Sequence, residues 1–379
     1  MNKRNHTLKI CNAKVLDPLE GTFQVRDVAV DGAVMAASSQ GEADMTVDAS
    51  GCILTPGLID IHLHLFSAVP GGSVRADLAC LPYGVTTAVD AGTAGAPSYP
   101  LFHETEVERS MTRILACLNI ASAGLLSSGC PEDPRPGHVD REGIRSLFRT
   151  YKGELVGLKL RNSMGIVEAG DEGPLRSMVA LGEELGVPVV AHMTDPAIPS
   201  ERAAELLRPG DIFCHMYHGE GDTILDEGGR VKKEILEAKE RGVLFDACNG
   251  NANFSFQVAE AAIAQGFLPD LIGSDLTPMS FHKPHVYDLP RLLTKYMMLG
   301  MPVREVLERA TIAPARFLGL ERTLATLAPG TPADIAVFRV MEKDVSFTDR
   351  YGTERHYHQV LLPQMTVKDG RILWSQTGF

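Results

Sequence analysis

The chain has 379 residues, 36 basic against 48 acidic, for a formal net charge of −12, with 44% hydrophobic and 22% charged residues. That composition excludes a wholly disordered or fibrous chain. The acidic balance disfavours nucleic acid or any extended anionic surface as a partner. Seven cysteines, at 11, 52, 80, 117, 130, 214 and 248, are scattered and odd in number. They read as buried free thiols in a reducing, cytoplasmic compartment. The basic N-terminus leads into no apolar stretch, and no apolar run reaches membrane-spanning length. Neither a secretory signal nor a membrane span is expected.

Short alternating runs at 8–15, 25–30 and 45–47, with a turn at Asp31-Gly32, predict antiparallel strands. From residue 58 onward, strand-like and helix-like segments alternate. The strand candidates are 58–65, 86–90, 114–120, 156–160, 187–191, 212–214, 243–247 and 271–273. Asp140 is placed to cap a helix carrying Ile144, Leu147, Phe148 and Tyr151 at helical spacing. Pro174 opens a second helix, which Gly186 ends, and 231–242 and 255–266 repeat the design. Near the end, Asp334 starts another strand, and Val367, Ile372 and Leu373 flank a turn at Asp369-Gly370.

Eight β-then-α units have the length and rhythm of a (β/α)8 TIM barrel. Neither chain end holds enough strands for a domain of its own. The expected α/β architecture is therefore a barrel over 55–323, with a small β-sandwich module built jointly from 1–54 and 324–379.

In the first barrel strand, His62 and His64 share a face, where two imidazoles can converge on one ion. Lys159 lies within an apolar strand, and a lysine there is costly unless paired. Burial would lower its pKa, and the neutral amine could then take up CO2 as a carbamate, an anionic bridging ligand. His192, His215 and Asp275 each end a strand candidate, where barrel enzymes place their active sites. Together these six side chains fit two divalent metals: His62, His64 and Asp275 on one, His192 and His215 on the other, and modified Lys159 between them. Nitrogen-rich donors favour zinc.

The run from Pro56-Gly57 through Asp60, His62 and His64, then Lys159, His192, His215 and Ser274-Asp275, resembles the binuclear-metal branch of the amidohydrolase superfamily. The stretch 327–335, Leu-Ala-Pro-Gly-Thr-Pro-Ala-Asp-Ile, is a common phrase of that family. Within it the chain looks dihydroorotase-like or deacetylase-like. Dihydroorotases place an arginine two residues after the His-x-His pair, and Phe66 stands there instead, which argues against a true dihydroorotase.

The resemblance implies attack by a metal-bridging hydroxide on an amide or ester, with Asp275 as general base and then acid. The expected substrate is a small acylated, plausibly acetylated, amino or hydroxy acid. It would be the one small-molecule partner of a homo-oligomer that binds neither nucleic acid nor membrane. Four residues are candidates for substrate contact. Arg161 could grip a carboxylate or form a salt bridge, and His218 could touch substrate or support a ligand. Asn251, in the polar loop 249–254, and His282 would line the rim. Asp90 could orient a ligand histidine or cap a helix. Other readings are a cyclic-amide hydrolase, a nucleobase deaminase or a non-catalytic barrel. A deaminase lacks the strand-four lysine and carries a glutamate shortly after the strand-five histidine; Met193-Thr194-Asp195 follows His192 here.

Overall fold

The computed structural model describes residues 6–67, 73–125, 131–250, 252–281 and 288–379, the side chain of Met279 excepted. The N-terminal segment supplies β1 (His6–Asp17), β2 (Thr22–Asp31), β3 (Val34–Met35), β4 (Ala43–Asp48) and β5 (Ile53–Pro56). The C-terminal segment supplies β13 (Ile335–Thr348), β14 (Glu354–Lys368) and β15 (Arg371–Ser375). These eight strands form one sheet in the order β15-β14-β13-β5-β1-β2-β3, with β4 also paired to β1. The two chain ends meet where β13 runs antiparallel to β5. Leu8, Ile10, Val15, Val30, Leu54, Ile335, Val337 and Val367, drawn from both ends, share one buried cluster.

The expectation of antiparallel pairing holds for β1 with β2 but not for residues 45–47. Strand β4 pairs parallel to the first half of β1, and β5 pairs parallel to its second half. A bulge between Ile10 and Ala13 lets β1 pass from one neighbour to the other.

The middle of the chain forms β6 (Leu58–Leu63), β7 (Val85–Gly95), β8 (Arg113–Asn119), β9 (Leu155–Arg161), β10 (Val189–His192), β11 (Ile212–Cys214) and β12 (Leu244–Asp246). They make a seven-stranded, all-parallel sheet in sequence order. This is the curled, TIM-barrel-like arrangement of an α/β fold, with helices on its outer side. The expected helix punctuation is present. Asp140 accepts from the Gly143 N–H, Ser255 from the Val258 N–H, and Gly186 closes the helix Gly173–Leu185 in the left-handed conformation.

The eighth strand candidate, 271–273, is not a regular strand. Leu271 makes a single bridge to Asp246 of β12. On the other side the Asp275 N–H donates to the His62 carbonyl at 2.6 Å, and the His64 N–H to that of Leu276 at 3.1 Å. The segment thus lies between the first and last strands, bonded to both.

Asp334 joins the two sheets. Its buried carboxylate accepts from Lys368 Nζ and the Asp369 N–H at the end of the large sheet, and from Arg113 at the start of β8.

Candidate metal centre

The six side chains picked out in the sequence come together around His62. Its Nε2 lies 3.4 Å from Lys159 Nζ and 3.7 Å from Asp275 Oδ1, and His64 Nε2 lies 3.3 Å from the same oxygen. His215 Nε2 faces His192 Nδ1 at 2.8 Å, and the His215 ring centroid stands 5.2 Å from that of His62. His62, His64 and Asp275 offer donor atoms close enough to share one ion.

Strand alternation alone does not bring these groups together. β6 slips register between Asp60 and Leu63, and Ile61 faces the barrel interior beside the His62 it precedes. His215 and Asp275 both adopt left-handed backbone, with φ of 64° and 54°. Because of that turn, Cys214 and His215 both reach the rings around His62, although they are neighbours in sequence. Such a conformation costs a non-glycine residue about 1–3 kcal/mol and tends to gather at functional sites.

The outer nitrogens are tied down. His64 Nδ1 meets Thr93 Oγ1 at 2.8 Å, and that hydroxyl donates to Asp90 Oδ2, also at 2.8 Å. A carboxylate only accepts, so the Thr93 oxygen accepts from His64 Nδ1–H, and the Nε2 lone pair is left facing Asp275. Asp90 therefore acts on a site histidine through Thr93. His62 Nδ1 faces Asp246 Oδ2 at 3.3 Å, and His215 Nδ1 donates to the Cys248 carbonyl at 3.1 Å. Three imidazoles thus present Nε2 lone pairs inward, which is the donor chemistry a divalent-metal centre needs.

Burial pushes the Asp275 carboxyl up, but the adjacent His64 ring, then His215 and His62, outweigh it. The group is held well below the usual carboxylate range. His192 is driven well below its ordinary value by burial, then by His215 and Lys159. Lys159 departs from expectation. Burial lowers it, but its neighbours Cys214, Cys248 and Asp275 more than offset this and raise it. Gly92 makes room for this lysine: a Cβ there would lie 2.5 Å from Lys159 Cβ.

The proposed substrate contacts divide. Arg161 is paired with Glu132 at 2.7 Å, and the other Glu132 oxygen accepts from Asn119, so a salt bridge at the strand end is formed. His218 is fully buried, and neither ring nitrogen has a well-formed hydrogen bond. Burial first, then His215, lowers its pKa to about 4. Asn251 and His282 lie outside the described residues. Phe66 is buried edge-on against Phe102.

The loop 249–254 also brings in an asparagine that was not among the candidates. Asn253 donates from Nδ2 to Asp275 Oδ2 at 2.8 Å and accepts from Thr194 Oγ1 at 2.7 Å. The carboxylate fixes the amide orientation, because only the NH2 end can donate to it. Gly250 lets the loop close on the same oxygen, since a Cβ there would stand 2.0 Å from Asp275 Oδ2. The signal available was a Gly-Asn-Ala-Asn run just after a strand; nothing in it distinguishes one asparagine from another.

Residues 53–372 match the amidohydrolase family. The chain belongs to that family. It is a metal-binding hydrolase that cleaves carbon–nitrogen bonds. It is 33% identical to a deacetylase of Agrobacterium fabrum over 89% of this chain and 83% of the relative. A deacetylase of Brucella anthropi is 32% identical over 95% and 91%. The crystal structure of a dihydroorotase, 30% identical, superposes with a TM-score of 0.88 over 97% of this chain and 99% of that one. No helix among the described residues is long and apolar enough to cross a membrane.

Proposed function

We propose that this amidohydrolase is a deacetylase that removes a small acyl group, such as acetyl, from an amino or hydroxy acid. The observation that carries the reading is the convergence of His62, His64, Lys159, His192, His215 and Asp275 on one point at the carboxyl ends of the parallel strands. His62, His64 and Asp275 would hold one divalent cation and His192 and His215 a second, with Lys159, as a carbamate, shared between them. Imidazole-rich donors favour zinc. Such ions supply a hydroxide nucleophile at neutral pH and polarise the scissile carbonyl. They would also repel the Lys159 ammonium, reversing the upward shift set by its neighbours and freeing the amine for CO2.

Asp275 takes the proton of the attacking group on Oδ2 and delivers it to the departing amine or alcohol. Asn253 fills one lone pair of that oxygen and leaves the other free, fixing the direction of transfer. His218, buried and without a well-formed hydrogen bond at either ring nitrogen, is suited to hydrogen-bond a substrate oxygen. Arg161 is available to a substrate carboxylate only by sharing its charge with Glu132. Lys159, and the lack of a glutamate shortly after His192, weigh against a deaminase, and Phe66 weighs against a dihydroorotase. We assign the sheet built from both chain ends to a supporting β module over 1–54 and 324–379, and the barrel to 55–323.

The test is a panel of N-acetyl amino acids and O-acetyl hydroxy acids of both hands, assayed with zinc-loaded protein. Turnover of one acylated class at kcat/KM of at least about 10⁴ M⁻¹s⁻¹ supports the reading. Hydrolysis of a cyclic amide with no activity on the panel would overturn it.

A further inference from the structure

Directly beneath the metal centre, on the far edges of two of its imidazoles, lies a second set of donors that the hydrolysis does not use. Cys214 Sγ and Cys248 Sγ are 3.2 Å apart and remain unlinked thiols. Cys214 Sγ lies 3.2 Å from His62 Nδ1, and Cys248 Sγ lies 3.4 Å from His62 Nδ1 and 3.0 Å from His215 Nδ1. All four side chains are buried, and their four ligand atoms lie within 4.8 Å of one another. Tetrahedral bonds of about 2.3 Å to sulfur and about 2.0 Å to nitrogen place donors roughly 3.3–3.8 Å apart, so a small outward shift of a few tenths of an ångström would seat an ion.

We propose that Cys214, Cys248, His62 and His215 form an inhibitory site for a thiophilic d10 cation, of the class of zinc in excess, copper(I) or cadmium. Two thiolates and two imidazoles in a tetrahedron suit such ions and not the hard cations. A divalent ion with two thiolates is net neutral, which a buried site tolerates far better than a bare charge. On binding, each thiol gives its proton to solvent, and the ion gains two sulfur and two nitrogen donors.

Inhibition follows from the tautomers. A neutral imidazole has one lone-pair nitrogen. While Nδ1–H of His62 faces Asp246 and that of His215 donates to the Cys248 carbonyl, both Nε2 lone pairs serve the catalytic centre. If both Nδ1 atoms bind the soft cation, both Nε2 atoms carry the proton and can no longer ligate. One pair of rings therefore serves either centre, but not both. Only this competition rests on the function proposed above; the donor set does not.

The experiment adds one equivalent of cadmium chloride to the zinc-loaded protein. The expected result is a cadmium–thiolate charge-transfer absorption, a cadmium-113 resonance typical of two sulfur donors, release of zinc and at least a tenfold loss of hydrolysis. Cys214→Ser/Cys248→Ser should show no thiolate absorption and keep both its zinc and its activity. Wild-type protein that binds cadmium without thiolate absorption overturns the site, as does the same absorption in the double variant. Thiolate ligation with zinc and activity fully retained overturns the competition. Should the double variant not fold, Cys248→Ala must lower cadmium affinity at least tenfold, and an unchanged affinity refutes the proposal. The absorption and resonance report ligation whatever the substrate, so failure of the acyl panel would leave this test intact.

Discussion

Asn253→Ala isolates what the 249–254 loop contributes to chemistry. In the native protein the Asn253 amide donates to Asp275 Oδ2 at 2.8 Å, and both residues are buried. A hydrogen bond to a buried charged group contributes about 1.5–3 kcal/mol. If the bond orients the carboxylate for proton transfer, its loss should appear in kcat as a fall of roughly 10- to 150-fold, with little change in KM. The Thr194 hydroxyl also loses its acceptor, so some stability will be lost, and thermal unfolding must be followed beside the kinetics. Asn253→Gln keeps the donor on a longer stem and should recover part of the rate. Asn253→Asp sets a second carboxylate against Asp275 and should be worse than alanine. The assay is steady-state kinetics on the best acylated substrate, with zinc content measured on each variant. A fall in kcat below threefold, or equal losses in the Gln and Ala variants, would show that the amide only packs the loop.

Lys159→Ala should reduce bound zinc from about two ions per chain to one or fewer, and unchanged occupancy by elemental analysis would remove the lysine from the centre. Gly92→Ala drives a Cβ to 2.5 Å from Lys159 Cβ on a backbone with φ of 82°. Overpacking and strain together should cost about 2–5 kcal/mol and reduce metal content, read by denaturant unfolding and zinc analysis. Asp334→Ala removes the buried carboxylate shared by Lys368 and Arg113 and leaves Lys368 only the half-exposed Asp369, so an unfolding cost of about 1–3 kcal/mol is expected, with activity at low temperature spared. His218 has a folded pKa of about 4 against 6.5 when unfolded. Below pH 6.5 the unfolded chain takes up this proton first, so His218 withdraws up to about 3 kcal/mol of stability as pH falls to 4, and nothing at neutral pH. His218→Gln should flatten that part of the stability–pH curve, and an unchanged slope would refute the assignment.

The strand-and-helix rhythm was legible because parallel strands buried on both faces read as apolar runs, and because Asp140, Ser255 and Gly186 carry the chemistry of helix ends. The six site residues were legible because a charged or imidazole side chain at the end of an apolar run is costly without a partner. The route of residues 271–276 was not. A segment held by one bridge on one side and two backbone bonds on the other has no alternating pattern to betray it. Residues 45–47 show the same limit in another form, since an exposed strand of mixed polarity says nothing about the direction of its neighbour. Asn253 and the Cys214–Cys248 contact are tertiary facts, made where loops and the ends of separate strands meet.

Backbone strain and ligand placement are one problem in this fold. A regular strand points successive side chains to opposite faces, so two residues adjacent in sequence cannot both reach the centre from one strand end. Here Cys214 and His215 both reach the rings around His62, and Asp275 meets His62 and His64 from a segment with almost no ladder of its own. Left-handed backbone at His215 and Asp275 makes this possible. It also stacks a layer of thiols under the layer of imidazoles, which is why the soft donors of Cys214 and Cys248 sit within reach of the same rings. The geometry that would build the proposed hydrolytic centre would therefore build its proposed competitor as well, and substituting the thiols should remove the competitor while leaving the centre in place.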